Sequence, residues 1–191
     1  ALNLLGALGG RVWADAMTDA EIEEVTEAFV RSAGLAREAG CDAGELHLGH
    51  GYLLSQFLSP GTNRRRDRWG GSLANRARFA LQVVERVRAT LPPQMPVLAK
   101  VNLRDGFRGG LELDESIAVA RQIEARGGDA LVLSGGFVSR NPFYLFRGER
   151  PLRQMIAVEK SLPQKLALAV FGPFVIHAQP FEPLYFLPLA R

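Results

Sequence analysis

The segment Glu45-Leu46-His47-Leu48-Gly49-His50-Gly51-Tyr52 gathers side chains suited to proton and oxygen chemistry. The chain has three histidines, and two of them, His47 and His50, stand three positions apart here, with the phenol of Tyr52 two residues further on. Imidazole changes charge or hydrogen-bond role near neutral pH. A pair of them can grip a carbonyl or nitro oxygen and steady negative charge as it develops there. A tyrosine hydroxyl alongside can give or take a proton. Plainer roles compete: the histidines could satisfy local loop hydrogen bonds, and Tyr52 could be a packed aromatic whose hydroxyl meets water. His-x-x-His close to Glu45 also has the residue types of a zinc site. A third strong protein ligand is not apparent in the sequence, so no metal is expected.

Three apolar runs end in polar residues, and these ends bring in further candidates. Residues 42–47 read as a short strand that ends at the histidine pair. Residues 96–101 read as a buried strand that carries Lys100 at its end, and 129–133 as a strand closed by Ser134-Gly135-Gly136. Lys100 supplies a fixed positive charge for an electron-rich cofactor or a phosphate. The alternatives are a solvated strand end or a carboxylate partner. Ser134-Gly135-Gly136 could cradle phosphate, but a tight turn after a strand is the simpler reading.

Helices alternate with these strands. Thr18 or Asp19 caps the first, with Glu21, Glu23 and Glu24 near its positive end; Ile22, Val25, Phe29, Ala33 and Ala36 form its apolar stripe and Gly40 stops it. Ser72 caps a second, to about Leu91, where Pro92-Pro93 ends it. A third runs over 114–126 with Gly127-Gly128 at its end. The order predicts α/β architecture with a parallel sheet. In such an array the strand ends share one face, so His47, His50, Tyr52 and Lys100 are expected to converge there. Beyond this the pattern weakens. Residues 152–170 read as partly helical with Pro163 as an interruption, and 181–190 as the start of another helix. The flanks 1–16 and 171–191 carry no firm assignment. His177, among apolar and proline residues, reads as structural.

At 191 residues, 47% hydrophobic and 23% charged, the chain is long enough for one sizeable domain with a real core. Its net charge of +3 is too mild to mark a nucleic-acid binder. No apolar run reaches the roughly 20 residues that span a bilayer, and no signal-like segment opens the chain. The lone Cys41 fits a reducing compartment, and a cytoplasmic protein is expected. The run Arg64-Arg65-Arg66-Asp67-Arg68 reads as an ion-paired loop rather than a phosphate or nucleic-acid site. Lacking an initial methionine, the chain is expected to be part of a longer protein.

One long pattern carries a resemblance. His47-x-x-His50-Gly51-Tyr52-Leu53-x-x-Gln56-Phe57-Leu58-Ser59-Pro60 is followed by Asn63-x-Arg65-x-Asp67-x-x-Gly70-Gly71-Ser72-x-x-Asn75-Arg76. This resembles the old yellow enzyme family of FMN-dependent ene-reductases, also called NADH:flavin oxidoreductases, from about Met17 to Gly136. The resemblance implies a TIM (β/α)8 barrel, of which the chain is a single partial domain holding roughly the middle β/α units, with the first and last strands missing. It implies FMN as cofactor, NADH or NADPH as reductant, and a small electrophile as substrate: an enone, a quinone or a nitro compound. His47 and His50 would hold the substrate's activating oxygen, with His47 also touching the flavin. Tyr52 would donate the proton. Lys100 would stand at the flavin's pyrimidine edge, where most members have arginine. Asn63, Asp67 and Arg76 would pin the loop. A homo-oligomer is compatible with the resemblance; nucleic-acid and membrane partners are not implied. Ala74, where an acidic residue is usual, and Gly44, where a β-branched residue is usual, depart from the pattern. The competing readings are a truncated, non-catalytic barrel fragment with open sheet edges, and a flavin-free β/α-barrel enzyme acting on phosphorylated substrates.

Overall fold

The structure, a computed structural model, describes residues 15–189 apart from 142, 146, 147, 150 and 177. The assignments made above for residues 1–14 and for His177 lie outside the described residues.

Helix α1 (Asp19–Glu38) opens on a capping box: Thr18 Oγ1 accepts from the Glu21 amide, and Glu21 accepts from the Thr18 amide. It leads into β1 (Gly44–Leu48), the short helix α2 (Leu53–Leu58) and, after a loop, α3 (Leu73–Thr90), capped by Ser72. Then follow β2 (Val97–Asn102), α4 (Leu113–Glu124) and β3 (Ala130–Ser134). Helices α5 (Leu152–Val158) and α6 (Leu162–Val175) and a 3-10 turn at Leu187–Leu189 complete the described elements.

The three strands form one parallel sheet in sequence order. Gly44 lies opposite Val97 and His47 opposite Lys100, while Leu98 lies opposite Ala130 and Asn102 opposite Ser134. Side chains alternate along a strand, so the register sorts them into two faces. Leu46, Leu48, Val97, Ala99 and Val101 are buried against the helices. There they meet Ile22 of α1, Phe79, Val83, Val84 and Val87 of α3, and Val119 and Ile123 of α4. The opposite face carries Glu45, His47, Lys100, Asn102 and Ser134. The helices therefore hold the sheet from one side and leave the polar side chains together on the other.

Two anchors fix the strand and loop positions. The Val97 amide donates to Asp129 Oδ2 at 2.8 Å, the Asp129 amide donates to the Val97 carbonyl at 2.8 Å, and Arg88 Nη1 donates to the same carboxylate at 3.1 Å. Arg76, buried on α3, donates to the carbonyls of Gly71 and Leu58 and to Glu115 of α4 at 2.5 Å. Asn63 Nδ2 bridges the carbonyls of Phe57 and Trp69, and Asp67 accepts from Arg65 and from the Trp69 amide. Arg68 pairs with Asp19 at 3.0 Å. The arginine-rich run is thus largely tied into the loop, and Asn63, Asp67 and Arg76 do pin it.

Two expectations need correction. Pro163 does not interrupt a helix; it stands in the first turn of α6, where an amide hydrogen is not needed. Residues 181–189 do not form a regular helix: Leu184 has φ 56°, and only Leu187–Leu189 winds into a 3-10 turn. The short helix α2 was not foreseen.

Candidate active site

β1 ends at Leu48, and after Gly49 the chain turns sharply. His50 has φ 61° and Gly51 φ 77°. The first is a costly conformation for a residue with a Cβ, and such strain persists only where the surroundings enforce it. Here they do. The His50 amide donates to Asn102 Oδ1 at 3.0 Å, and its carbonyl accepts from the Val138 amide at 2.9 Å. Phe137 packs against Gly51, where an added Cβ would come within 2.4 Å of the ring. The Gly51 amide donates to Ser55 Oγ at 3.1 Å, which starts α2 directly beneath the turn.

This turn brings three rings together. The His47 and His50 rings are 4.8 Å apart and edge-on, and the His47 and Tyr52 rings are 5.1 Å apart. Tyr52, which precedes α2, is 54% exposed and stands at the rim. His50 Nε2 lies 2.5 Å from Ser134 Oγ at the end of β3. Lys100 is the cross-strand partner of His47, and its Nζ donates to Glu45 Oε1 at 2.6 Å. His47, His50 and Tyr52 are therefore one cluster, as the sequence predicts. Lys100 sits beside it with a carboxylate already at its charge, one of the alternatives left open by the sequence.

Electrostatics favour neutral imidazoles. Burial pushes the His47 pKa below the usual 6.5, and the nearby Lys100 cation adds to the effect, partly countered by Glu45. Burial also lowers that of His50, helped by His47 and Lys100. A neutral imidazole keeps one donor nitrogen and one acceptor nitrogen. Among the described residues His47 Nδ1 is buried with no hydrogen-bond partner. An unmet buried polar atom of this kind commonly marks a position completed by a ligand. Among the described residues no group of three or more His, Cys, Asp or Glu side chains is placed to hold a metal ion.

Asn102 is the residue that sequence reasoning missed. It is buried at the end of β2; besides accepting from His50, its Nδ2 donates to Asp105 Oδ1 at 2.9 Å and to the Gly136 carbonyl at 2.7 Å. It thus joins the ends of all three strands. The available signal was parity: Asn102 lies two residues after Lys100 and shares its face.

Comparisons with known proteins bear on the family and the fold. The sequence model described as the NADH:flavin oxidoreductase / NADH oxidase family matches residues 6–139. A 4,4'-dithiodibutanoate disulfide reductase of Rhodococcus erythropolis is 45% identical over 91% of this chain and 43% of its own length. An NADPH dehydrogenase of Halalkalibacterium halodurans is 36% identical over 78% of this chain and 44% of its own. The chain spans less than half the length of these curated relatives. Among solved structures, a 2-naphthoyl-CoA reductase in complex with 2-naphthoyl-CoA aligns with TM-score 0.64 and 27% identity, over 87% of this chain and 28% of the other. An old yellow enzyme homologue from Zymomonas mobilis aligns with TM-score 0.59 over 88% of this chain and 50% of the other; at 23% identity it speaks for the fold alone. The fold is part of a TIM barrel.

Proposed function

Because the chain belongs to the NADH:flavin oxidoreductase / NADH oxidase family, we propose that the whole protein uses FMN and NADH or NADPH to reduce small electrophiles, with His47, His50, Tyr52 and Lys100 forming part of its site. The observation that carries this reading is the ring cluster of His47, His50 and Tyr52 beside Lys100 on one face of the sheet. FMN, when bound, would supply the hydride.

The residues present fit one edge of a flavin and the electrophile beside it. Lys100 offers positive charge against an electron-rich ring edge. The buried, unpartnered Nδ1 of His47 offers a hydrogen-bonding atom. Neutral His47 and His50 can each donate one hydrogen bond to the oxygen that activates the substrate, drawing electron density from the carbon under attack. Tyr52, exposed at the rim, would deliver a proton from its hydroxyl. The substrate classes proposed are enones, quinones and nitro compounds. Likeness to the disulfide reductase adds organic disulfides that carry carboxylates. A second reading, that a chain of this length is by itself a non-catalytic section of barrel, is favoured by its coverage of less than half of those relatives.

Titration of the purified whole protein with FMN tests the first reading, and the same titration of this chain alone tests the second. The oxidoreductase reading predicts saturable uptake and a flavin band that bleaches anaerobically on addition of NADH or NADPH. A whole protein that retains its fold but takes up no FMN would overturn that reading, and uptake with NAD(P)H bleaching by this chain alone would overturn the second.

A further inference from the structure

In the sequence Ser134 closes an apolar run and opens Ser134-Gly135-Gly136, a tight turn or a phosphate cradle. In the fold it is buried, it lies opposite Asn102 in the β2–β3 register, and its Oγ is 2.5 Å from His50 Nε2. A hydroxyl at such a contact can donate or accept, and the two cases leave different protons on His50. The surroundings decide between them. Among the described residues Ser134 Oγ has His50 Nε2 as its hydrogen-bond partner and no second acceptor. If Nε2 carried the proton and donated to Oγ, the buried hydroxyl hydrogen of Ser134 would have no acceptor, an arrangement that carries a desolvation cost. If the hydroxyl donates to a bare Nε2, both groups are satisfied.

We propose that Ser134 is a positioning residue that donates its hydroxyl hydrogen to His50 Nε2 and so holds His50 as the tautomer with its proton on Nδ1. The rest of the turn supports this. The backbone of His50 is fixed on both sides, by Asn102 and by Val138, so Ser134 meets a ring whose attachment cannot drift. The donor that His50 offers to a ligand oxygen is then Nδ1–H, and the end of β3 determines it. Use of that donor in substrate binding rests on the oxidoreductase reading; the protonation assignment does not, since it follows from the buried hydroxyl.

The experiment uses the purified chain labelled with 15N-histidine, without flavin or ligand. Long-range 1H–15N spectra at neutral pH distinguish protonated from bare ring nitrogens, and with three histidines His50 is assigned by its loss in His50→Gln. The expected result is a bare Nε2 and a protonated Nδ1 for His50. Ser134→Ala should shift His50 toward a mixture of tautomers or the Nε2–H form, and Ser134→Thr, which keeps the hydroxyl, should restore the original pattern. An Nε2–H tautomer in the unmodified chain overturns the proposal, as does an unchanged spectrum in folded Ser134→Ala. Should Ser134→Ala not fold, the unmodified spectrum alone decides. A failure to take up FMN would leave this result standing.

Discussion

At the scale of single residues, the candidate site holds two imidazoles that their surroundings favour uncharged. Their pKa values lie below the usual 6.5, mainly through burial. In the unfolded chain the same rings take up protons as pH falls through about 6.5, while the folded chain resists until lower pH. The unfolded state then binds more protons, so stability contributed by these groups is present above about pH 6.5 and is lost as pH falls below it. The charged and polar groups around them are Lys100, Glu45 and Ser134, and Lys100 opposes protonation of either ring. Denaturant midpoints measured from pH 7.5 down to pH 5.5 should fall, and the fall should be shallower in a His47→Gln, His50→Gln double variant. Equal slopes in the two proteins would contradict the account. The residue types of the site were readable in the sequence, because His-x-x-His-Gly-Tyr sits at a strand end. Asn102 and the orientation of Ser134 were not, because both act across strands and their partners lie 52 and 84 residues away.

At the scale of elements, local chemistry made the helix starts legible. Thr18 with Glu21, and Ser72, form caps whose spacing is written in the sequence. Helix α2 escaped because it has six residues and no side-chain cap; its position is set by the Gly51–Ser55 contact and by burial of Leu54, Phe57 and Leu58. Pro163 misled because a proline marks a helix start as readily as a break. Arg76 ties several elements together: it binds the end of α2, the loop before α3, and α4. Arg76→Ala would leave two carbonyls and Glu115 without their partner, a loss of about 3 kcal/mol or more for a buried charged hub. Arg76→Lys should recover little, because one ammonium group cannot reach three acceptors in the fork geometry of a guanidinium. Urea unfolding of the two variants checks both statements; a lysine variant as stable as the original would remove Arg76 from this role.

At the scale of the whole molecule, the parallel order of strands followed from the alternation of helix and strand patterns. The surfaces that the chain leaves uncovered did not. Leu162, Leu166, Val170 and Phe174 recur every fourth residue along α6 and are 56–76% exposed. On the helix side of β3, Leu131 and Ile117 border a trough of about 450 Å³. Contiguous apolar surface of this kind favours association. Sedimentation of the purified chain should show species larger than a monomer that grow with concentration, and Leu166→Lys with Phe174→Lys should reduce them. A monomer at every concentration would show that the stripe is tolerated in water. Among the described residues no helix is long and apolar enough to cross a membrane.

The register has a further consequence for the order in which the chain is made. Each strand pairs with the next one in sequence: Gly44 with Val97, 53 positions on, and Leu98 with Ala130, 32 positions on. A chain leaving a ribosome can therefore lay down its wall strand by strand, each pairing closing around a helix that has already emerged. Both histidines and Tyr52 come out early in this sequence. The hydroxyl that holds the His50 ring follows 84 residues later, and the ring that backs Gly51 follows three residues after that. During synthesis, then, His50 emerges 84 residues before the hydroxyl beside its ring, and the arrangement of the cluster waits on β3.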